Sequence, residues 1–546
     1  MEKRSVGRSF FSGVLILTVA NVIVKLIGLL YTIPLTNMLG DEGMGYFNTA
    51  YQIYSWLYMF STAGLPVAMS MMISRLGAEG RQKEKRKLLL LTLCIFLTVG
   101  LLGSAIMAFC CRGLAGFIAA DLSYLCILAI SPALFFVCIS STLRGYFQGH
   151  SNMLPTAVSE ILESVGKASL GLFLGGYALK QGLPIYQVAA YSIIGVSAGV
   201  AAGAIFLALA KLLGKRDVTA ETEEDSNNST KTALTSKELL KSLFAIAVPV
   251  MISASLLSMS SMLDTLIIIR RLIKTGLAES AAIAMYGNYT AYCVKLFNLP
   301  PVLIYPIVNA LIPIVTSARA KGDGKRAERI MQTALRLSAV IALPCAFGLA
   351  TLSEPILKLI FKSGASAEMA APLLTVLAPS IFLIGVMAVS NGILQSCGLQ
   401  KYTLISMPAG ALVKAVGAYL LPSLSIGGTA LRMYAAPIST FAFYTTVTAL
   451  NFFFIVKYTE LRISVVKVYL RPFIASVICA VAAAGGYLLL HNAIGEKLAV
   501  LLAIAVAAVI YAVALLLLGA ISREELEMLP MGKKISPLLS SLKLLK

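Results

Sequence analysis

The sequence is poor in the residues that enzymes and metal proteins rely on. Only 13% of its 546 residues are charged, and it has just two histidines, His150 and His491. Its nine cysteines include no CxxC pair, whereas zinc sites need closely spaced cysteine and histidine ligands. The Walker A sequence of nucleotide-binding loops is also absent. The sequence therefore argues against a zinc protein and a P-loop ATPase, and it predicts no cofactor.

Apolar residues are abundant instead, at 58% of the chain. A soluble protein of this size cannot bury that much apolar surface. Apolar runs of about 20 residues, the length that spans a bilayer, recur from end to end. The first run, residues 10–35, contains Lys25 and is too long for the apolar core of a signal peptide. It is predicted to be the first spanning helix of an integral membrane protein.

Fourteen spanning helices are predicted, and most lysines and arginines fall in the inner loops if the N-terminus is cytoplasmic. Positive charge on the inner side is the usual signal of membrane orientation. The net charge of +20 is therefore attributed to topology and to anionic lipid head groups, not to nucleic acid. Both termini are predicted to be cytoplasmic, in a bacterial cell membrane. The predicted spans are residues 10–35, 46–74, 88–111, 122–143, 156–179, 186–210, 243–269, 285–315, 331–352, 371–395, 403–422, 427–456, 472–490 and 498–520.

A sequence pattern recurs at an offset of 247 residues. Residues 391–395 resemble residues 144–148, and Lys414 falls at the position of Lys167. Such an offset indicates two related halves, spans 1–6 and spans 7–12. Because an even number of spans separates equivalent helices, the halves share one orientation, and their pseudo-two-fold axis is predicted to run along the membrane normal. Spans 13 and 14 have no counterpart.

The predicted fold class is an all-α integral membrane protein with two six-helix lobes and two extra C-terminal helices. The N-terminal lobe covers residues 1–213, and a polar cytoplasmic linker covers residues 214–238. The C-terminal lobe covers residues 239–458. Residues 459–546 hold the last two helices and a basic cytoplasmic tail that is predicted to lie on the membrane surface.

Seven charged residues are the clear cases of charge buried in the predicted spans. A charge at the bilayer centre costs about 2.5–3.5 kcal/mol on insertion scales, so each of them needs a partner, a wet cavity or a function. Glu160, Glu163 and Lys167 share one helical face, and Glu163 precedes Lys167 by one turn, the favourable order for an ion pair. This trio is predicted to form a neutral, structural polar face toward the interior.

The other four charged residues are the predicted substrate-binding residues: Lys25, Lys295, Lys414 and Asp264. Lys25 and Lys295 lie too deep for easy snorkelling and are predicted to share an aqueous cavity that receives an anion. The alternative is that these lysines pair with Asp264. Lys414 has no carboxylate in its own span, so it either contacts the substrate or pairs with another helix. A lysine ammonium suits a phosphate as a compact point charge.

Two stretches carry a resemblance to a known family: NVIVKLIGLLYTIPLTNMLGDEGMGYFNTAYQ at residues 21–52 and RGYFQGHSNMLPTAVSE at residues 144–160. They resemble the multidrug/oligosaccharidyl-lipid/polysaccharide exporter superfamily. Within it, the chain is most similar to the polysaccharide biosynthesis and stage V sporulation protein B branch, which is similar to MurJ-type lipid II flippases.

The resemblance implies an undecaprenyl-pyrophosphate-linked sugar as substrate, most simply the peptidoglycan precursor lipid II, moved from the inner to the outer leaflet. It places Lys25 where a basic residue of helix 1 meets the pyrophosphate and, more loosely, carries Lys295 over from helix 8. It also implies that the two extra helices form a groove for the lipid tail. The chain departs from the flippases at Tyr31 and around Trp56, where they usually carry further arginines.

Three functions remain open at this point. The first is a flippase or exporter of a lipid-linked sugar, acting by alternating access and as a monomer. The second is a cation-coupled multidrug antiporter, which needs an acidic cavity, whereas lysines outnumber carboxylates among the seven buried charges. The third is a membrane-embedded sugar-polymer ligase or polymerase, which needs large outer loops that are absent. The sequence therefore predicts a transporter and not an enzyme, and it does not choose between Na⁺, H⁺ and membrane potential as the energy source.

Overall fold

The computed structural model describes most of the chain as helices. The described residues are 2–62, 64–150, 152–213, 234–320, 322–361, 363–426, 429–459 and 464–520. They form two compact units, an N-terminal unit of Met1–Gly287 and a C-terminal unit of Asn288–Lys546.

The N-terminal unit contains nine helices among its described residues. They are α1 (Glu2–Thr62), α2 (Leu65–Ala78), α3 (Gln82–Phe109), α4 (Cys111–Ile118), α5 (Tyr124–Gly149), α6 (Leu154–Lys180), α7 (Ile185–Leu213), α8 (Ser236–Lys274) and α9 (Glu279–Asn288), which ends one residue past the unit. A 3-10 turn, Asp121–Ser123, precedes α5.

The C-terminal unit begins with a π-helical turn, Tyr289–Cys293, and has a second one, Val466–Leu470, before α18. Two-residue strands, β1 (Ser425–Ile426) and β2 (Thr429–Ala430), pair antiparallel before α17. The helices are α10 (Val294–Phe297), α11 (Pro301–Ala320), α12 (Gly324–Thr351), α13 (Ser353–Ile360), α14 (Gly364–Leu377), α15 (Ser380–Ser396), α16 (Thr403–Leu420), α17 (Ala435–Tyr458), α18 (Arg471–Ile494) and α19 (Glu496–Leu517).

Long apolar helices dominate both units, as the sequence predicts. Among the described residues, nine helices are long and apolar enough to cross a bilayer, and eleven if each of two bent pairs counts as one span. The chain is therefore an all-helical, multi-pass membrane protein apart from the short hairpin. Each predicted span overlaps a helix, while the count of fourteen crossings and the two-fold axis remain predictions.

Breaks in the long helices fall at glycine and proline. Gly40 interrupts α1 with φ 62° and ψ −172°, a conformation that favours glycine, and it lies between the first two predicted spans. A second break lies inside the second predicted span, where α1 ends at Thr62 and α2 starts at Leu65 with Pro66 in its first turn. α10 and α11 are separated at Pro300.

The predicted linker, residues 214–238, lies mostly outside the described residues, as does the basic tail beyond residue 520. Its end is corrected by the structure. Thr235 caps α8 by accepting a hydrogen bond from the Glu238 backbone N–H, and the Glu238 side chain accepts one from Thr235 in return. Because this capping box fixes the first turn of α8, residues 236–238 are helical and not linker.

The compact units also differ from the predicted lobe boundaries. α8 packs on α1, α2, α3 and α4, and its Ala247 and Leu243 join Leu65, Met69 and Leu88 in one buried apolar cluster. These contacts place α8 in the N-terminal unit, whereas the sequence assigns it to the C-terminal lobe. The division into two six-helix lobes remains a prediction.

Glycines bring α6 and α7 into backbone contact. A Cβ built on Gly199 would overlap the backbone carbonyl oxygen of Glu163 and lie 2.7 Å from the backbone nitrogen of Lys167. A Cβ on Gly166 would lie 2.9 Å from the Gly199 Cα, and one on Gly195 would overlap the Gly171 nitrogen. This approach is possible only because these positions lack side chains. It fixes the rotation of α6, and with it the direction of the charged face that α6 carries.

A cluster of aromatic and basic side chains closes the C-terminal end of α5. The rings of Tyr146 and His150 lie 4.4 Å apart between centroids, and Lys211 donates a hydrogen bond to the Tyr146 hydroxyl. His150 follows the last residue of α5, outside the predicted spans. Burial lowers the pKa of His150, and the charges of Lys85 and Lys211 lower it further, against the opposing effect of the Tyr146 carbonyl.

Acid is therefore expected to destabilise the protein through His150. The unfolded chain binds the proton more readily than the folded chain, so stability is complete above the ordinary histidine pKa of about 6.5 and falls as the pH drops below it. His150→Gln is expected to lose less thermal stability between pH 7 and pH 5 than wild type, measured by melting in detergent. His491→Gln is the control, because His491 also stacks on a tyrosine, Tyr487. Equal acid sensitivity of His150→Gln and wild type would contradict the assignment.

Candidate functional site

Arg144 is a buried arginine that joins α5 to α6 through ion pairs with two half-buried glutamates. Only 7% of the residue is exposed. Its Nη2 donates to the Glu163 carboxylate at 2.9 Å, and its Nε donates to the Ser159 hydroxyl at 3.1 Å. Its Nη1 lies 4.0 Å from Glu160. One guanidinium therefore serves two carboxylates of the next helix, and this polar junction lies within the N-terminal unit.

This junction corrects the predicted pairing of Glu163 with Lys167. Glu163 bonds to Arg144 because the planar guanidinium offers several donors in a fixed fork, two of which are used by neighbouring side chains of α6. The sequence ends span 4 at residue 143 and leaves Arg144 in a loop, but α5 continues to Gly149. Arg144 is therefore the first of six further helical residues, and its contact with α6 cannot be deduced from spacing within its own helix.

Lys167 consequently has a different environment from the predicted one. Its Nζ lies 4.5 Å from the ring centroid of Tyr51 and 5.6 Å from that of Tyr31. Over the described residues no carboxylate comes within ion-pair distance of Lys167. The lysine is therefore half-buried beside two aromatic faces, which stabilise an ammonium through their quadrupoles.

The position of Arg144 has a polar counterpart in the C-terminal unit at the offset of 247. Asn391 accepts a hydrogen bond from Asn451 of α17 at 2.8 Å. Ser406, which stands 247 residues after Ser159, donates to the same Asn451 at 2.7 Å. The two residues equivalent to the Arg144–Ser159 pair are therefore again part of one buried polar cluster, as expected if the halves are related.

Two of the predicted substrate-binding residues belong to the N-terminal unit. Lys25 is exposed on α1 and has no carboxylate partner in the part of the chain that is described. Asp264 on α8 is 7% exposed, next to Thr265, whose hydroxyl shares a 2.5 Å hydrogen bond with the Tyr286 hydroxyl.

The other two predicted residues belong to the C-terminal unit. Lys295 is half-buried on α10, directly after the π-helical turn. Lys414 is 3% exposed on α16, and its Nζ lies 6.0 Å from the ring centroid of Phe443. The sequence assigns Lys25 and Lys295 to a shared cavity, and this remains a prediction.

An apolar cavity of about 520 Å³ is lined by residues of the C-terminal unit and is open on one side, where Phe441, Val465 and Phe473 are exposed. Its walls come from α12, α15 and α17 and from the turn that leads into α18, so the first of the two extra helices helps to form it. The lining residues are Leu343, Ala346, Phe347, Ala350, Pro379, Phe382, Leu383, Phe441, Val465, Tyr469, Leu470 and Phe473. Such a cavity suits a hydrocarbon chain and offers almost no polar group for a hydrophilic ligand.

The structure argues against Ser197 as a hydrolase nucleophile. Residues 195–199 read Gly-Val-Ser-Ala-Gly, which matches the GxSxG spacing of a hydrolase nucleophile elbow. The elbow requires a sharp strand-to-helix turn, whereas these residues lie in the middle of α7. Ser197 donates its hydrogen bond to the Ala129 carbonyl at 2.8 Å. The described residues also hold no group of three or more histidine, cysteine or acidic side chains arranged for a metal.

Two known bacterial proteins are similar to most of this chain. Stage V sporulation protein B of Bacillus subtilis (strain 168) is 26% identical over 529 residues, which are 96% of this chain and 98% of that protein. The lipid II flippase MurJ of the same organism is 26% identical over 425 residues, or 74% of this chain and 76% of that protein. Relatives named as a flippase and, below, as transporters agree with the prediction that the chain is not an enzyme.

Solved structures establish the fold. Lipid II flippase MurJ in an inward closed conformation matches with a TM-score of 0.68 at 15% identity, covering 92% of this chain and 98% of that one. An inward-facing MATE family transporter of the MOP superfamily matches with a TM-score of 0.64 at 15% identity, covering 79% of this chain and 93% of that one.

Two family models match the sequence. The MatE model matches residues 249–420. The model described as polysaccharide biosynthesis protein matches residues 10–319, more than half of the chain. With an all-helical membrane fold shared with MurJ and MATE transporters, the chain is a member of the polysaccharide biosynthesis protein family.

Proposed function

We propose that the protein is a flippase that moves an undecaprenyl-pyrophosphate-linked sugar precursor, lipid II in the first instance, from the inner to the outer leaflet. The observation that carries the proposal is the apolar cavity of the C-terminal unit. A prenyl chain is an apolar substrate of the right kind for walls made of Leu343, Phe382 and Phe473 and their neighbours. A water-soluble drug cation gains little from such a lining.

The coverage of the structural matches supports a lipid substrate over a drug. The MATE transporter aligns over 93% of its own length but only 79% of this chain, whereas the MurJ flippase aligns with 92% of this chain. This chain is thus longer than a MATE transporter by a portion that a flippase shares. The cavity wall at residues 465–473 belongs to the segment that the sequence identifies as additional to the two lobes.

The proposed headgroup site consists of Lys25, Lys295, Lys414 and Asp264. Lysine ammonium groups neutralise the two phosphates, and the carboxylate of Asp264 orients one lysine or a sugar hydroxyl. We infer that a fourteen-span monomer with cytoplasmic termini carries this site. Alternating access then exposes the site to each leaflet in turn.

A different lipid-linked oligosaccharide is the second candidate substrate. The match to stage V sporulation protein B covers 96% of this chain, compared with 74% for the match to MurJ of the same organism. The greater coverage favours a substrate of the sporulation branch. The multidrug antiporter ranks below both, since its family model matches residues 249–420 only.

Complementation tests the substrate and the site together. Expressed in a rod-shaped bacterium depleted of its own lipid II flippase, the wild type is expected to restore growth and rod shape. Lys25→Ala is expected to fail at equal membrane abundance, because it removes a cation from the proposed headgroup site. Lys180→Ala, which changes an exposed lysine at the end of α6, is the control and is expected to rescue fully.

Two outcomes contradict parts of this proposal separately. A wild type that reaches the membrane and does not rescue growth would contradict lipid II as the substrate and favour the second candidate. Full rescue by Lys25→Ala would leave the substrate standing and remove Lys25 from the site.

A further inference from the structure

We propose that Lys167, supported by Tyr31 and Tyr51, is an additional phosphate-binding residue of the N-terminal unit. The ligand is the pyrophosphate of the lipid-linked substrate, so this inference rests on the proposed function. It changes Lys167 from the structural residue that the sequence predicts into a residue that contacts the substrate.

Three helical segments converge on the ammonium group. Tyr31 precedes the break of α1 at Gly40, Tyr51 follows it, and Lys167 belongs to α6. The Nζ lies 4.5 Å from one tyrosine ring centroid and 5.6 Å from the other. The lysine is thus directed to the place where both parts of α1 meet α6, which is inside the unit.

The opposite side of α6 is the apolar, exposed one. Val165 and Ser169 are each two residues from Lys167, a helical rotation of about 200°. Both are exposed, Val165 to 45%, and Phe173, further along this side, is 69% exposed. An exposed apolar surface on a spanning helix faces lipid. Lys167 therefore points away from lipid and toward the interior.

The charges around Lys167 leave it available for an anion. Glu163, the carboxylate nearest in sequence, bonds to Arg144 at 2.9 Å, and Glu160 faces the same guanidinium. Among the residues that the structure describes, Lys167 makes no ion pair. An ammonium has three donors, and aromatic faces stabilise its charge without accepting conventional hydrogen bonds from all of them. Phosphate oxygens are the acceptors that complete such a site.

The backbone of α6 holds the lysine in this direction. A Cβ on Gly199 of α7 would lie 2.7 Å from the backbone nitrogen of Lys167, so α6 cannot rotate without separating from α7. The lysine is consequently preorganised, and the substrate gains binding energy without first ordering the helix that carries it.

Direct binding with farnesyl pyrophosphate as the probe tests the inference on the purified full-length protein. Equilibrium dialysis in detergent is run with wild type, Lys167→Met, Lys167→Arg and Lys180→Met, the control on the same helix. Loss of a hydrogen bond to a charged group predicts that Lys167→Met weakens farnesyl pyrophosphate binding by about tenfold to a hundredfold. Lys167→Arg and Lys180→Met are expected to bind nearly as wild type. Farnesol, which lacks the phosphates, is expected to bind equally to all four.

Amine footprinting supplies a second measurement that needs no variant. Lys167 of the wild type is expected to become protected from an amine-reactive reagent by farnesyl pyrophosphate and, more weakly, by inorganic pyrophosphate. Lys180 is expected to stay reactive. Protection by farnesol alone would show that the tail and not the phosphates covers the lysine, and it would overturn the inference.

The outcomes separate this inference from the proposed function. If the wild type prefers farnesyl pyrophosphate to farnesol and folded Lys167→Met keeps that preference in full, Lys167 is not a phosphate ligand and the flippase proposal stands. If the wild type shows no preference for the pyrophosphate, pyrophosphate recognition itself is contradicted and both proposals fall. If Lys167→Met does not fold, the footprint of the wild type decides.

Discussion

Replacing Arg144 by methionine is expected to destabilise the N-terminal unit by at most about 3–5 kcal/mol, the cost of removing one partner from a fully buried ion pair, because both glutamates are half-buried. The loss leaves Glu163 without its 2.9 Å partner and Glu160 without its nearest cation. One oxygen of Glu160 is already buried without a hydrogen bond. Chemical or thermal unfolding of the purified protein in detergent measures the effect.

A compensating variant separates the ion pair from simple packing. Arg144→Met combined with Glu160→Gln and Glu163→Gln removes the buried charges altogether and is expected to recover much of the stability, since it leaves no carboxylate uncompensated. If the triple variant is no more stable than Arg144→Met, packing of the arginine stem and not its charge holds α5 to α6.

Gly199→Ala is expected to have the second largest effect. The new methyl group would overlap the backbone carbonyl oxygen of Glu163 and lie 2.7 Å from the backbone nitrogen of Lys167. Backbone atoms cannot move aside as a flexible side chain does. Overpacking of this kind costs about 1–3 kcal/mol. The melting temperature in detergent and the yield of monodisperse protein are the measurements.

Gly176→Ala is the matched control for that substitution. Gly176 also lies in a helix, α6, but a Cβ built there has no neighbour within 4 Å. Alanine is the better helix former by about 1 kcal/mol, so this variant is expected to be as stable as wild type or more stable. A neutral result for both glycines would contradict the close approach of α6 and α7.

The long helices are predictable from the sequence because bilayer thickness fixes their length. Short amphipathic helices are not predicted by this criterion. α4 and α13 have eight residues each, too few to give a spanning signal. The breaks in α1 and before α2 occur where the sequence has Gly40 and Pro66. The extent of the compact units is not predictable, because it depends on which helix α8 packs against and not on any property of α8 itself.

The charged site was predicted in part. The sequence identifies Glu160, Glu163 and Lys167 as one helical face, which is a local property. It assigns the wrong partner to Glu163 because a favourable spacing within a helix cannot compete with an arginine held by a neighbouring helix. Arg144 was overlooked as a site residue since an apolar-run criterion ends span 4 one residue before it. The repeat at 247 residues is the available signal, because it aligns Arg144 with another polar residue, Asn391, which the structure shows half-buried and hydrogen-bonded to Asn451.

The contact between α6 and α7 determines where the N-terminal unit is able to flex. α6 and α7 are in backbone contact at Gly166, Gly195 and Gly199. They cannot slide past each other, so the two helices move as one rigid body. Hinge motion is then confined to places where helical hydrogen bonding is already interrupted, at Gly40 within α1 and at Gly64 before α2. Lys167 moves with α6 and α7, whereas Tyr31 and Tyr51 lie on α1, on either side of the hinge at Gly40. Bending at Gly40 therefore changes the distances between the Lys167 ammonium and the two tyrosine rings. The affinity of Lys167 for an anion is therefore expected to depend on the conformation of the transporter.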